Sequence, residues 1–207
     1  MLVIGVTGGS GCGKSLFCQH LGRLSQAPIL DADRIYHELI RAPSACTAAL
    51  AEAFGSDILN QDGSLNRPSL AAIVFANTPA AKDRLAQLNE ITHRFVRTAF
   101  EQRLQDCKKQ NVPLVILDVP LLFEAEFDQL CHHTVGVLAE QETRLLRIME
   151  RDHIDRDAAL RRLHAQPPDT YYKERCDLIV YNNGDIDDIC KAAVKVMQNL
   201  NIRYDSK

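Results

Sequence analysis

The 207-residue sequence predicts an α/β protein, three-layered, with a central five-stranded and mainly parallel sheet. Short apolar runs recur along the chain, each too brief for a buried helix and each followed by polar or helical sequence, as in parallel strands joined by crossover helices. A glycine-rich turn follows the first of these runs directly and leads into an apolar-periodic helix. The balance of 46% hydrophobic and 25% charged residues is that of a chain able to bury a core of its own.

Residues 3–6 read as the first strand, 8–13 as the turn, and the helix begins near Lys14. Residues 28–30, 114–117 and 134–138 are further strand candidates, and 178–181 is a fifth. The long stretch between the second and third strands has helical patterning. Within it a loop is expected across 55–67, turning at Asp62-Gly63, and a helix start at Thr78-Pro79, where threonine can cap and proline can occupy the first turn. One domain results, with a core of about 1–43, 112–139 and 176–207, a helical acceptor-binding cap at about 44–111 and a helical lid at about 140–175. The lid stretch carries Arg144, Arg147, Arg151, Arg156, Arg161 and Arg162 among acids and ends at Gln166-Pro167-Pro168. Taken alone it also suits a solvated, salt-bridged helix pair.

Net charge is −3 and the pI near 6.2, without the basic footprint of a nucleic-acid binder. No apolar run approaches the ~18 residues of a membrane span, and no basic leader with a cleavage site precedes the first strand. The expectation is a cytoplasmic monomer or small homo-oligomer with neither nucleic-acid nor membrane partners. Seven cysteines, odd in number, scattered and without a Cys-x-x-Cys pair, read as reduced thiols. Cys131, His132 and His133 are too close together to ligate one ion jointly, and no second pair stands at zinc-site spacing.

The most specific signal is Gly8-Gly9-Ser10-Gly11-Cys12-Gly13-Lys14-Ser15, the pattern of a glycine, four residues, then Gly-Lys-Ser, set between a strand and a helix. Glycines leave backbone N–H groups free to converge on phosphate oxygens, and the helix N-terminus adds positive potential. Lys14 would reach the β- and γ-phosphates of ATP, and the Ser15 hydroxyl would ligate Mg²⁺. This is the signature of a P-loop NTPase fold, which fixes nucleotide binding without fixing the reaction.

Three constellations point to phosphoryl transfer. Asp31-Ala32-Asp33 closes the second strand, where the carboxyl ends of a parallel sheet line the ligand crevice. Asp33 is the candidate to orient an acceptor hydroxyl and take its proton; both aspartates are equally suited to capping the next helix. Asp118 closes the third strand, where P-loop proteins place a Mg²⁺-associated carboxylate, acting directly or through water; it could also serve the turn before Pro120. With a phosphate loop present, the arginine-rich stretch reads as a lid that stabilises transferring charge and excludes water.

Over nearly its whole length the chain resembles the dephospho-CoA kinase family. Thr7 through Ser15 is similar to that family's phosphate loop, and Leu30-Asp31-Ala32-Asp33 to its acceptor-site signature. Gly63-Ser64-Leu65-Asn66-Arg67 with Leu70 and Phe75, then Leu88-Asn89-Glu90-Ile91-Thr92-His93, are similar to its cap segment. Pro120-Leu121-Leu122-Phe123-Glu124, the lid positions Gln141, Arg147, Arg151 and Gln166, and Asp177 with Asn182 and Gly184 complete the resemblance.

The resemblance implies an ATP-dependent transferase that phosphorylates the ribose 3′-hydroxyl of dephospho-CoA in the last step of coenzyme A biosynthesis. It implies Asp33, Lys14 and Arg147 as catalytic residues, with Arg147 a lid arginine near the phosphates. Gly11, Cys12, Gly13, Lys14, Ser15, Leu16 and Arg147 would hold the nucleotide, with Asn182 near adenine. Thr7, Asp33, His93 and Leu122 would contact the acceptor. Arg94 stands after His93 where the family usually has proline, and Cys12, Leu16 and Cys176 also depart from its pattern; none removes a group the chemistry needs. Two other readings use the same loop: a kinase for another nucleoside, nucleotide or small alcohol, and a regulatory switch that binds ATP without turning it over.

Overall fold

A computed structural model describes residues 1–76 and 78–202, and its contacts divide the chain into two compact units, Met1–Leu30 with Asp106–Lys207, and Asp31–Gln105. The end of the expected core segment, 203–207, lies outside the described residues.

In the first unit five strands form one sheet: β1 (Leu2–Thr7), β2 (Ile29–Asp31), β3 (Leu114–Asp118), β4 (His133–Leu138) and β5 (Leu178–Tyr181), in the order β2-β3-β1-β4-β5. The pairs β1–β3, β1–β4 and β4–β5 are parallel, and Ile116 N–H donates to the Pro28 carbonyl at 3.0 Å where β2 joins. All five lie where the apolar runs predicted them. Each inner strand is covered on both faces, which is why β1 and β3 read as nearly continuous apolar runs: Ile4, Val6, Ile116 and Leu117 are completely buried. Helices α1 (Lys14–Ser25) and α9 (Ile186–Asn199) contribute Phe17, Leu21, Ile189, Ala193 and Met197 to the same core. Asp177 accepts from the amide and hydroxyl of Thr134 at 2.7 and 2.9 Å, clipping the start of β4 to the residue before β5.

The arginine-rich stretch of this unit folds as α6 (Gln141–Asp152), α7 (Arg156–His164) and α8 (Asp169–Arg175). Leu145 and Ile148 of α6 pack on Ala159 and Leu163 of α7, giving the stretch an apolar seam of its own. Cys131 and His132 are engaged structurally: His132 exchanges bonds with Val3, accepting from its N–H at Nδ1, and Cys131 Sγ donates to the Phe127 carbonyl.

The second unit is helical: α2 (Ala32–Ile40), α3 (Ala45–Phe54), α4 (Arg67–Val74) and most of α5 (Ala81–Lys109). Ile40, Leu50, Ile58, Leu65, Leu70 and Val74 form its core, so α2 belongs to it together with the stretch expected as a cap. Ser44 and Thr47 form a reciprocal capping box on α3, and Asn66 caps α4 with Pro68 in its first turn. The expected loop turns at Gly63 (φ 77°), where the Asp62 carboxylate accepts from the Ser64 amide and hydroxyl. Those bonds hold the Asp62 carboxyl below its usual range.

One local expectation is revised, and one departure from the family pattern is accommodated. α5 begins at Ala81 rather than at Thr78-Pro79; the residue before a proline is pushed out of helical conformation, and Thr78 contributes its carbonyl to the Ala81 amide instead of a side-chain cap. Arg94 leaves α5 unbroken, since it keeps the backbone N–H that a proline would remove, and its guanidinium lies 5.1 Å from the Phe95 ring centroid.

Candidate active site

The site in the first unit begins with strand order. β1 is central, and its register with β3 sets Val6 opposite Asp118, so the turn leaving β1 and the carboxylate ending β3 emerge side by side. That turn is the glycine loop. Gly11 (φ 77°) and Gly13 (φ 85°) take left-handed conformations that only glycine adopts without strain. Space excludes other residues as well: a Cβ on Gly11 would lie 2.6 Å from the Arg144 carbonyl oxygen, and one on Gly13 would run into the Asn182 amide.

Gly13 is the N-cap of α1 without any side-chain cap, and the first backbone bond into the helix is Phe17 N–H to the Gly13 carbonyl at 3.0 Å. The amides of Lys14, Ser15 and Leu16 therefore lack helical acceptors and offer an anion-binding cluster at the positive end of the helix. Lys14 forms an ion pair with the buried carboxylate of Asp118. Ser15 is exposed, with no hydrogen-bond partner for its hydroxyl among the described residues.

The loop is held from three directions. Arg144, buried on α6, donates Nε–H to the Ser10 carbonyl at 2.9 Å and Nη2–H to Gln166 Oε1 at 2.7 Å. Gln166 Oε1 also accepts from the Ser10 amide at 2.9 Å. Arg147 donates to the carbonyls of Gly11 (3.4 Å), Asn182 (3.0 Å) and Gly184 (3.4 Å), while buried Asn182 donates Nδ2–H to the Cys12 carbonyl at 2.8 Å. Arg151, exposed, reaches Ser10 Oγ at 3.1 Å. Cys12 is buried beneath the loop, and burial pushes its thiol above the usual range.

The candidate residues thus fall into distinct positions. Gly11, Cys12, Gly13, Lys14, Ser15, Arg147, Asn182 and Asp118 come together around the loop, and Leu16 turns its half-buried side chain into the core of α1 and the sheet. Thr7 and Leu122 are fully buried: the Thr7 hydroxyl donates to the Pro120 carbonyl at 2.9 Å, and Leu122 lies against Gly5. Their side chains shape the turn after β3 and present nothing to solvent.

In the second unit the aspartate ending β2 and the aspartate in the first turn of α2 take different positions. Asp31 is the N-cap of α2, accepting from Arg34 N–H at 3.1 Å, whereas Asp33 stands exposed in the first turn with no partner among the described residues. The capping role that either could have filled falls to Asp31. His93 sits half-buried on α5.

The sequence does not separate Arg144 from its neighbours. Its signal was periodicity: Arg144, Arg147 and Arg151 recur at three and four residues, one face of a helix, and that face meets the loop.

Comparison with known proteins places the whole of this fold in a family. A family model described as dephospho-CoA kinase matches residues 2–188. A dephospho-CoA kinase of Bacillus cereus is 33% identical over 97% of this chain and 98% of its own. Among solved structures, a Thermus thermophilus protein superposes with a TM-score of 0.78 at 30% identity, covering 96% of this chain and 97% of that one. A dephospho-CoA kinase from Campylobacter jejuni superposes with a TM-score of 0.62 at 25% identity, covering 96% of each.

Proposed function

The chain belongs to the dephospho-CoA kinase family, and from that membership we propose how its own residues carry the reaction. The enzyme transfers the γ-phosphoryl group of ATP to the ribose 3′-hydroxyl of dephospho-CoA, giving coenzyme A and ADP. The observation that carries the assignment of roles is the braced glycine loop, with Lys14 and Asp118 paired at adjacent strand ends.

The amides at the start of α1, which lack helical acceptors, and the Lys14 ammonium bind the β- and γ-phosphates, a polyphosphate competing with Asp118 for Lys14. Asp33, without a partner among the described residues, orients the acceptor hydroxyl and takes its proton as the new O–P bond forms. Arg147, already donating to the Gly11 carbonyl, supplies positive charge as negative charge spreads over the γ-phosphoryl oxygens. Asn182 fixes the back of the loop on the adenine side, and Thr7, Leu122 and His93 shape or line the acceptor's surroundings.

Mg²⁺ fits the donors present. Ser15 and Asp118 offer oxygen ligands only, and among the described residues no group of three His, Cys, Asp or Glu side chains could hold an ion unaided. Ser15, Asp118 directly or through water, and substrate phosphates would hold it, and its charge would offset that of the phosphate oxygens. Among the described residues no helix is long and apolar enough to cross a membrane. We place the enzyme in the cytoplasm as a monomer or small homo-oligomer.

The test is ADP release from Mg²⁺-ATP with dephospho-CoA, adenosine, AMP, shikimate or no acceptor, with the product checked by mass. Release confined to dephospho-CoA, with one phosphate added at the 3′ position, is expected. Release with a different acceptor would reassign the substrate, and ATP binding without acceptor-dependent release would replace the kinase with a switch.

A further inference from the structure

Away from the phosphate loop, the first unit holds a second group of reactive side chains. A groove of about 740 Å³ runs along α1, α9 and β5, and His20, Arg23, Tyr181, Cys190, Lys191 and Lys195 help line it. His20 is only 8% exposed. Its Nδ1 lies 3.1 Å from Arg23 Nη2 and 3.2 Å from Cys190 Sγ. A guanidinium can only donate, so Nδ1 is an acceptor and the ring proton sits on Nε2. The Cys190 thiol therefore faces an unprotonated imidazole nitrogen, with a fixed positive charge at the same atom. A base within hydrogen-bond distance of a half-buried thiol is placed to take its proton as the sulfur attacks.

The other cysteines lack this setting. Cys12 and Cys18 are buried, and burial pushes the thiols of Cys46 up to about 11 and of Cys131 and Cys176 up to about 12. Cys107 is half-buried like Cys190, but among the described residues no imidazole lies within bonding distance of it. The groove is also cationic: Arg23, Lys191 and Lys195 stand against a single acid, Asp188, which takes Lys191 at 3.4 Å. Its volume is in the range that admits a small organic molecule.

We propose that Cys190 is a nucleophilic thiol, activated by His20 and Arg23, that takes up one half of a small anionic disulfide as a mixed disulfide. The Cys190 proton passes to His20 Nδ1, and exposed Arg23 turns from the ring to the sulfur. The thiolate attacks one sulfur of the reagent; as the new S–S bond forms, the reagent's own S–S bond breaks, and the departing thiolate takes the proton from His20. Cys190 is oxidised and half of the reagent is reduced, so no further oxidant is required.

The test exposes the full-length, reduced protein at neutral pH to glutathione disulfide, coenzyme A disulfide (both anionic) or cystamine (cationic), and maps modified peptides by mass over time. Cys190 is expected to react first, at least about tenfold faster than Cys107, and faster with either anionic reagent than with cystamine relative to Cys107. The faster anionic reagent identifies the better-fitting source. His20→Gln is expected to slow Cys190 about tenfold while leaving Cys107 unchanged. If that buried substitution impairs folding, Arg23→Gln at its exposed position serves instead and should slow the anionic reagents more than cystamine. Equal rates at Cys190 and Cys107, a preference for cystamine, or indifference of Cys190 to the folded variant would overturn the proposal.

Discussion

Around the glycine loop, Lys14, Arg144, Gln166 and Asn182 are each bonded to a partner remote in sequence: Lys14 to Asp118, Arg144 and Gln166 to Ser10, Asn182 to Cys12. At the start of α2 the pattern is reversed. Asp31 bonds three residues away, and Asp33 bonds to nothing described. The glycine loop is braced by bonds from distant residues, so on the proposed role its amides converge before a phosphate arrives and little ordering remains to be done on binding. A base must be free to accept a proton, and an aspartate already engaged in a cap or an ion pair would be a weaker one. On the roles proposed above, the difference separates residues that hold from a residue that reacts.

Five substitutions test that division, the two with the largest expected effects on turnover first. Lys14→Ala removes the phosphate ligand and leaves the Asp118 carboxylate buried and unpaired. Dephospho-CoA-dependent ADP release should fall by at least ~10³-fold, with a lower melting temperature because breaking a buried pair costs about 3–5 kcal/mol. Unchanged thermal stability would mean that the Lys14–Asp118 pair does not brace the loop. Asp33→Asn should cut kcat by ~10²-fold or more while leaving the melting temperature and ATP affinity near wild type; a near-normal kcat would remove Asp33 from its assigned role.

Arg144→Leu and Arg151→Ala compare a buried brace with an exposed one. Loss of the Arg144 bonds should weaken ATP binding or stability by about 2 kcal/mol, whereas Arg151→Ala should change either by less than about 0.5 kcal/mol. Calorimetric titration with ATP and thermal melts distinguish the two, and equal effects would show that burial of the guanidinium is not what matters. Asp31→Ala should cost about 1 kcal/mol of stability through the lost helix cap and leave kcat within about twofold of wild type. A collapse of kcat on that substitution alone would transfer the acceptor role from Asp33 to its neighbour.

The legible parts of this molecule are those written in local pattern. Five apolar runs became five strands, and Gly8 to Ser15 became a strand-loop-helix turn, because pleat, helical period and left-handed glycines are properties of adjacent residues. The loop across 55–67 and the helices of the arginine-rich stretch were legible for the same reason. Even there, the restriction that Pro79 puts on Thr78 moves the start of α5 to Ala81.

Which of several equivalent side chains would do a given task was decided only by the fold. Asp31 and Asp33 carry the same group two residues apart, and the cap went to the one whose carboxylate meets the Arg34 amide. Seven arginines share the stretch from α6 to α8, and Arg144 became the buried brace because its turn of α6 lies against Ser10, 134 residues earlier in the chain. Cys190 looked like six other cysteines until α9 packed it against His20 of α1. Pairings across such separations leave no periodicity in the sequence; they exist only once the sheet has brought its strand ends, and the helices packed on it, into register.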